Sequence, residues 1–349
     1  MTEHEAAGES RGTVLLALGA NLAIAVTKTG AGLLTMSSAM LSEAAHSWAD
    51  TTNQVFLLFA LSRADRPADP LHPFGYGKER FFWSLLAAVG IFVTGALFSL
   101  YQGVTTLLGD EHEPTSRDFL LSYAVLAVAL VLEGASLTKA LRQLSGEARS
   151  RHRGLLEHVR RSSDPTVKTV ASEDSAAVVG LLLALVGIGL HQATGSAVPD
   201  AIASIAIGLV LAWVAYALGR DTKDLLIGES LDPEVRLAVI EELQRYDGVD
   251  GILEILTMQL GPDQALVAAK LDVDDSLPAG DLERLTARME RELRAAHPEI
   301  AHIYLSVTRG DPGQLDVAAG LRRLATIAAG GPAQRQQALE SLSTGAWRR

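Results

Sequence analysis

The 349-residue sequence contains no cysteine. Disulfides and thiolate metal centres are therefore excluded, and any metal must be held by nitrogen and oxygen ligands. Aromatic residues are scarce at 5% and charged residues make up only 20%, whereas 48% of the chain is hydrophobic. With a mean hydropathy of +0.21, this is not the composition of an ordinary soluble protein of its size. It points to an integral membrane protein. A basic start followed by a small-residue cleavage site is also missing. The N-terminal stretch carries Glu3, Glu5 and Glu9 instead, so no cleaved secretory signal is expected.

What is present is a series of apolar runs, at 13–35, 39–61, 82–108, 119–141, 170–190 and 198–218. Each is long enough to cross a hydrocarbon core about 30 Å thick at about 1.5 Å per residue, which predicts six transmembrane helices. Lysine and arginine mark the orientation. The link after the second run holds Arg63, Arg66, Lys78 and Arg80, and the link after the fourth holds Arg142, Arg149, Arg151, Arg153, Arg160, Arg161 and Lys168. The links after the first and fifth runs have none, and the link after the third has only Arg117 among four acids. With an even number of spans, both termini are expected in the cytoplasm.

The expected domains are a cytoplasmic N-terminal tail at 1–12, a six-span membrane domain at 13–220, a cytoplasmic α+β domain at 221–310 and a loosely ordered tail at 311–349. The boundary at 220 rests on the change of composition at Gly219-Arg220-Asp221. Beyond it, an amphipathic helix at 233–246, strand-like runs at 251–260 and 265–273, a helix at 279–297 and a last strand at 301–307 give the order α-β-β-α-β, read as a small ferredoxin-like domain. Leu282, Leu285, Met289 and Leu293 mark the buried stripe of its second helix. Between 221 and 309 there are 19 acids against 9 bases, a net of −10, so nearly all of the chain's −11 sits in this domain.

The second span has polar residues at its centre, in Glu43-Ala-Ala-His46-Ser-Trp-Ala-Asp50-Thr-Thr-Asn53-Gln54. A charged group in hydrocarbon costs on the order of a few kcal/mol, so such residues face protein or water and mark a functional site. His46 and Asp50 are four apart and stack on one helix face, the spacing by which two side chains grip one ion; Asn53 falls on the same stripe. The fifth span opens with Glu173 and Asp174. Asp174 lies deeper and is followed by sixteen uncharged residues, 175–190. His46, Asp50 and Asp174 together supply nitrogen and oxygen ligands suited to a small divalent cation. Glu173 has two readings, a cap at the start of its helix or a further ligand. Lys28 and Glu133 also fall within apolar runs, and Lys28 needs a carboxylate partner or a path to the surface.

The six-span plan, the motif Ser42-Glu43-Ala44-Ala45-His46-Ser47-Trp48-Ala49-Asp50, the loop from Asp69 through His72-Pro73-Phe74-Gly75-Tyr76-Gly77 to Arg80, and the acidic start of the fifth span resemble the cation diffusion facilitators. The adjacent Glu173-Asp174 pair resembles the branch related to animal zinc transporter nine. The resemblance implies a homodimer with one tetrahedral transport site per protomer, in which His46 and Asp50 fill one ligand pair and Asp174 one place of the other. Val170 stands at the remaining place and cannot ligate, which leaves water or Glu173 as the fourth ligand. The family's accessory loop site is represented by Asp69 and His72, with Tyr76 where a second His is expected, so only a weak site is implied. The last strand, His302-Ile-Tyr304-Leu-Ser306-Val307, lacks a His-x-Asp pair, which implies a cytoplasmic domain that dimerises without metal.

The resulting expectation is not an enzyme but a multi-pass carrier of a bacterial plasma membrane. It exports a divalent cation, Zn²⁺ foremost, in exchange for protons. It needs no cofactor beyond the transported ion, and its partners are a second copy of the chain, the bilayer, divalent cations and protons, with no nucleic acid. The alternatives are an exporter of Mn²⁺, Fe²⁺ or Co²⁺, a membrane metalloenzyme and a metal sensor.

Overall fold

The computed structural model describes residues 3–109, 115–150, 154–156, 159 and 165–309. Two compact units divide between Ile227 and Gly228. Among the described residues, the first contains six long helices: α1 (Glu3–Thr35), α2 (Ser38–Ala64), α3 (Glu79–Leu108), α4 (Ser116–Ser150), α5 (Pro165–Thr194) and α6 (Val198–Ile227). Each expected apolar run lies inside one helix, and most helices extend well past it. Hydropathy marks the hydrocarbon-length middle, while backbone hydrogen bonding continues into the polar ends. Thus α1 is helical from Glu3, through residues expected as a tail. Likewise α6 continues past the compositional boundary at Gly219 and stops at Ile227, before Gly228 with its φ of 121°. Within α3 the residues Ile91–Leu97 widen into π-helical turns.

Among the described residues, four helices, α3 to α6, are long and apolar enough to cross a membrane. Polar residues lie within the apolar runs of α1, which carries Lys28, and of α2, whose middle carries Glu43, His46, Asp50, Asn53 and Gln54. The core of the unit is built largely from small side chains, such as Ala39, Ala49, Ala96, Ala129 and Ala184, which let helices approach closely.

The start of α2 is fixed from a distant part of the chain. The Ser37 hydroxyl caps the helix by accepting from the Met40 N–H at 3.1 Å. The buried Asp200 carboxylate, at the start of α6, accepts from the Ser37 hydroxyl at 3.0 Å, the Ser38 N–H at 2.7 Å and the Ser38 hydroxyl at 3.0 Å. An anion at this end also complements the helix dipole. Ser42 and Ser204 hydrogen-bond one turn further on, so α2 and α6 are joined along the half that leads to His46.

The second unit has the expected order. It runs α7 (Pro233–Leu243), β1 (Val249–Gly261), β2 (Gln264–Val273), α8 (Ala279–Ala296) and β3 (Ile300–Val307). Asp232 caps α7 by accepting from the Glu234 N–H, with Pro233 in the first turn. The sheet order is β1-β2-β3; β1 and β2 form an antiparallel hairpin, and β3 returns parallel to β2 after α8. Along β2, Ala265, Val267, Ala269 and Leu271 face the core beneath both helices. Leu285, Met289 and Leu293 of α8 are buried as the spacing predicts, whereas Leu282 is only half-buried. The expected tail at 311–349 lies outside the described residues.

Candidate metal site

On α2, the residues Glu43, His46, Asp50 and Asn53 fall within an arc of about 80° at about 100° per residue, so one face of the helix is polar in an otherwise apolar bundle. His46 is 2% exposed and Asp50 9%. The His46 Nε2 lies 3.6 Å from Asp50 Oδ2. Neither ring nitrogen of His46 has a hydrogen-bond partner, and neither does Asp50 Oδ1. Buried polar atoms are nearly always satisfied, so three adjacent unpartnered lone-pair or N–H groups need a reason. Nitrogen and oxygen atoms left free at i, i+4 spacing suit a cation.

The two acids of α5 face the same region but are held by neighbouring helices. Glu173 Oε2 accepts from the Asn53 amide of α2 at 2.7 Å, and its Oε1 is buried without a partner. Asp174 Oδ2 accepts from the Ser136 hydroxyl of α4 at 3.0 Å. Because α5 begins at Pro165, Glu173 lies more than two turns inside the helix. It therefore does not cap the N-terminus, which corrects one of the two sequence readings; proline supplied the earlier start. Asp50 and Asp174 both act electrostatically on Glu173, and Asp174 acts on His46.

Among the described residues, no three His, Asp or Glu side chains stand close enough together to enclose an ion. The structure brings His46 to Asp50 and ties Glu173 to their helix through Asn53, while Asp174 turns to Ser136. Three polar groups around this set were not assigned from sequence. Lys28 Nζ on α1 lies 3.0 Å from Glu43 Oε2, with both side chains fully buried. Glu133 on α4 is 9% exposed and lies within electrostatic reach of Asp50, Lys28, His46 and Asp174. Ser136 is the third. The signal for the first two was their charge within apolar runs; a serine gives none.

The loop between α2 and α3 uses Asp69 differently. Its Oδ1 accepts from the backbone N–H groups of Leu71 at 2.9 Å and His72 at 2.7 Å, and its Oδ2 from the Tyr76 hydroxyl at 2.6 Å. The Tyr76 hydrogen bond, with those of the turn, holds the Asp69 carboxyl below its ordinary range and pushes the Tyr76 phenol up. The His72 ring lies 4.3 Å from that of Tyr76, tilted by 37°, with Nδ1 3.4 Å from Asp69 Oδ1. Both carboxylate oxygens are thus engaged in closing the turn.

Residues 14–227 match the family described as the cation efflux transmembrane domain. The chain is 31% identical over 314 residues to the proton-coupled zinc antiporter SLC30A9, mitochondrial, of Xenopus laevis, covering 79% of this chain and 56% of that protein. It is 32% identical over 281 residues to metal tolerance protein C4 of Arabidopsis thaliana, covering 80% and 61%. The chain thus spans little more than half the length of these curated relatives. Among solved structures, MamM-CTD 215-293 is 14% identical with a TM-score of 0.21, over 22% of this chain and 96% of that one.

Proposed function

The chain belongs to the cation efflux family, and on that premise we propose that it carries a divalent cation, Zn²⁺ foremost, out of the cytoplasm in exchange for protons. The observation that carries this is the buried, unpartnered His46–Asp50 pair on the polar face of α2. His46 and Asp50 ligate the ion from α2, and Asp174 and Glu173 from α5. Glu173 takes the fourth place because it is joined to the α2 stripe by Asn53 and lies too deep in α5 to act as a cap. Small movements of α5 that release Asp174 from Ser136 close the set around the ion.

Proton coupling follows from the ligand types. A neutral imidazole and ionised carboxylates hold the cation when the site faces a near-neutral cytoplasm. Protons arriving from the other side compete for the same lone pairs and expel it. Rocking of the helices around this fixed set gives alternating access. With all six helices read as spans, both termini lie in the cytoplasm, because the basic links follow the second and fourth helices. The membrane is the plasma membrane of a bacterium.

The carrier acts as a homodimer. Leu256, Ala268 and Tyr304 form one cross-strand row on the sheet face away from α7 and α8, with Leu256 59% and Tyr304 53% exposed. Such an apolar row supports pairing of two copies without metal. The Asp69–His72 loop is a structural turn with at most weak affinity for metal. Flux into proteoliposomes under an imposed proton gradient tests the whole proposal, because a metalloenzyme or a sensor moves no metal.

A further inference from the structure

The Lys28–Glu43 pair joins α1 to α2 in a fully buried position. Burying two charges costs several kcal/mol per ion before their attraction offsets it, so a neutral brace would hold the helices as well or better. Three features go beyond a brace. Glu43 Oε1 is buried and has no hydrogen-bond partner, which leaves half of the carboxylate free in a dry interior. That oxygen rests against Gly180 of α5 where any Cβ would collide with it, so its position depends on glycine. Lastly, Glu43 is one helical turn from His46 on the same face of α2, so a charge at either group is felt by the other.

Resting on the transport function above, we propose that Lys28 is a tethered cation that competes with the transported divalent ion for Glu43. In the arrangement seen, the ammonium holds one oxygen of Glu43. A dication held by its four ligands beside His46 attracts the free oxygen through its charge and draws the carboxylate away from Lys28. The ammonium then stands without its partner beside a divalent charge in a low-dielectric interior, where like charges repel strongly. Lys28 thus limits how tightly the ion is held and favours its release, and by linkage the ion weakens the Lys28–Glu43 pair to the same degree.

The test is Zn²⁺ binding to the purified full-length protein by calorimetry, in wild type, Lys28→Gln, Lys28→Gln/Glu43→Gln and His46→Ala. Glutamine keeps a hydrogen-bond donor for Glu43 but removes the competing charge. Lys28→Gln is expected to lower Kd for Zn²⁺ at least 10-fold, and the added Glu43→Gln to reverse that gain and leave binding at least threefold weaker than wild type. A folded Lys28→Gln protein with unchanged or weaker binding overturns the proposal. If Lys28→Gln alone does not fold, the uncharged double variant decides: binding at least threefold weaker than wild type supports competition for Glu43, and equal binding overturns it. His46→Ala separates the two levels of the account. Loss of binding there with no effect of Lys28 removes only the tethered cation, whereas unchanged binding in His46→Ala removes the site itself.

Discussion

The Asn53 amide of α2 donates a 2.7 Å hydrogen bond to the Glu173 carboxylate of α5, one helical turn beyond Asp50. This bond ties the fifth helix to the polar face of the second and fixes Glu173 in the interior of α5. A capping acid contributes only about 0.3–1 kcal/mol, which is too little to affect transport. A ligand contributes far more. Glu173→Gln keeps an acceptor for Asn53, so folding should survive while the initial rate of Zn²⁺ transport falls at least 10-fold. Asp174→Asn should be equally severe. Wild-type rates in Glu173→Gln protein would leave three protein ligands and water.

His46 and Asp50 should be indispensable. His46→Ala or Asp50→Ala protein is expected to reach the membrane and to show no Zn²⁺ transport above background. His46→Asp replaces a borderline ligand with a hard one and should reduce discrimination against Mn²⁺. Competition assays with both metals check this. Unchanged selectivity would show that His46 does not touch the ion.

Asp200 is a structural anchor of the site helix. Its carboxylate accepts from two hydroxyls and a backbone N–H at the start of α2. Each hydrogen bond to a charged group contributes about 1.5–3 kcal/mol, and orphaned buried donors cost more. Asp200→Ala should therefore destabilise the protein by about 3–5 kcal/mol, with Asp200→Asn intermediate. Thermal unfolding in detergent measures this, and a shift of less than a degree would contradict the anchoring role.

Much of this architecture was legible because it rests on periodicity. The apolar runs located the six long helices described in the first unit, and the strand-like runs of β1 and β2 with the spacing of Leu285, Met289 and Leu293 located the elements of the second. Helix ends were less legible: the apolar run of α5 begins at 170, yet the helix starts at Pro165, and that difference alone turned Glu173 from a possible cap into an interior residue. Stacking of His46 on Asp50 followed from their i, i+4 spacing, since both partners lie on one helix. Contacts between distant segments, such as Ser38 with Asp200 and Ser136 with Asp174, have no local signature. Serine is common in every setting, and only the packed helices reveal its partner.

The loop of Asp69 should behave as a turn and not as a metal site. His72→Ala is expected to leave the metal content per protomer unchanged by elemental analysis. Tyr76→Phe removes the hydrogen bond that does most to hold Asp69 below the ordinary carboxylate range, so its acidity should return towards that range in a pH titration. A carboxyl lowered in the folded state adds stability above its unfolded pKa and loses it as the pH falls through the folded value. The loop should therefore be ordered at neutral pH and loosen only in acid, earlier in Tyr76→Phe than in wild type. Hydrogen exchange across residues 69–76 follows that order.

Simultaneous recording of Zn²⁺ and H⁺ fluxes in proteoliposomes carrying the purified protein tests the central claim most directly. The account predicts that an imposed proton gradient drives Zn²⁺ in the opposite direction, with both fluxes lost together in His46→Ala and Asp50→Ala. Zn²⁺ movement that is independent of protons, or that persists in either variant, would contradict it.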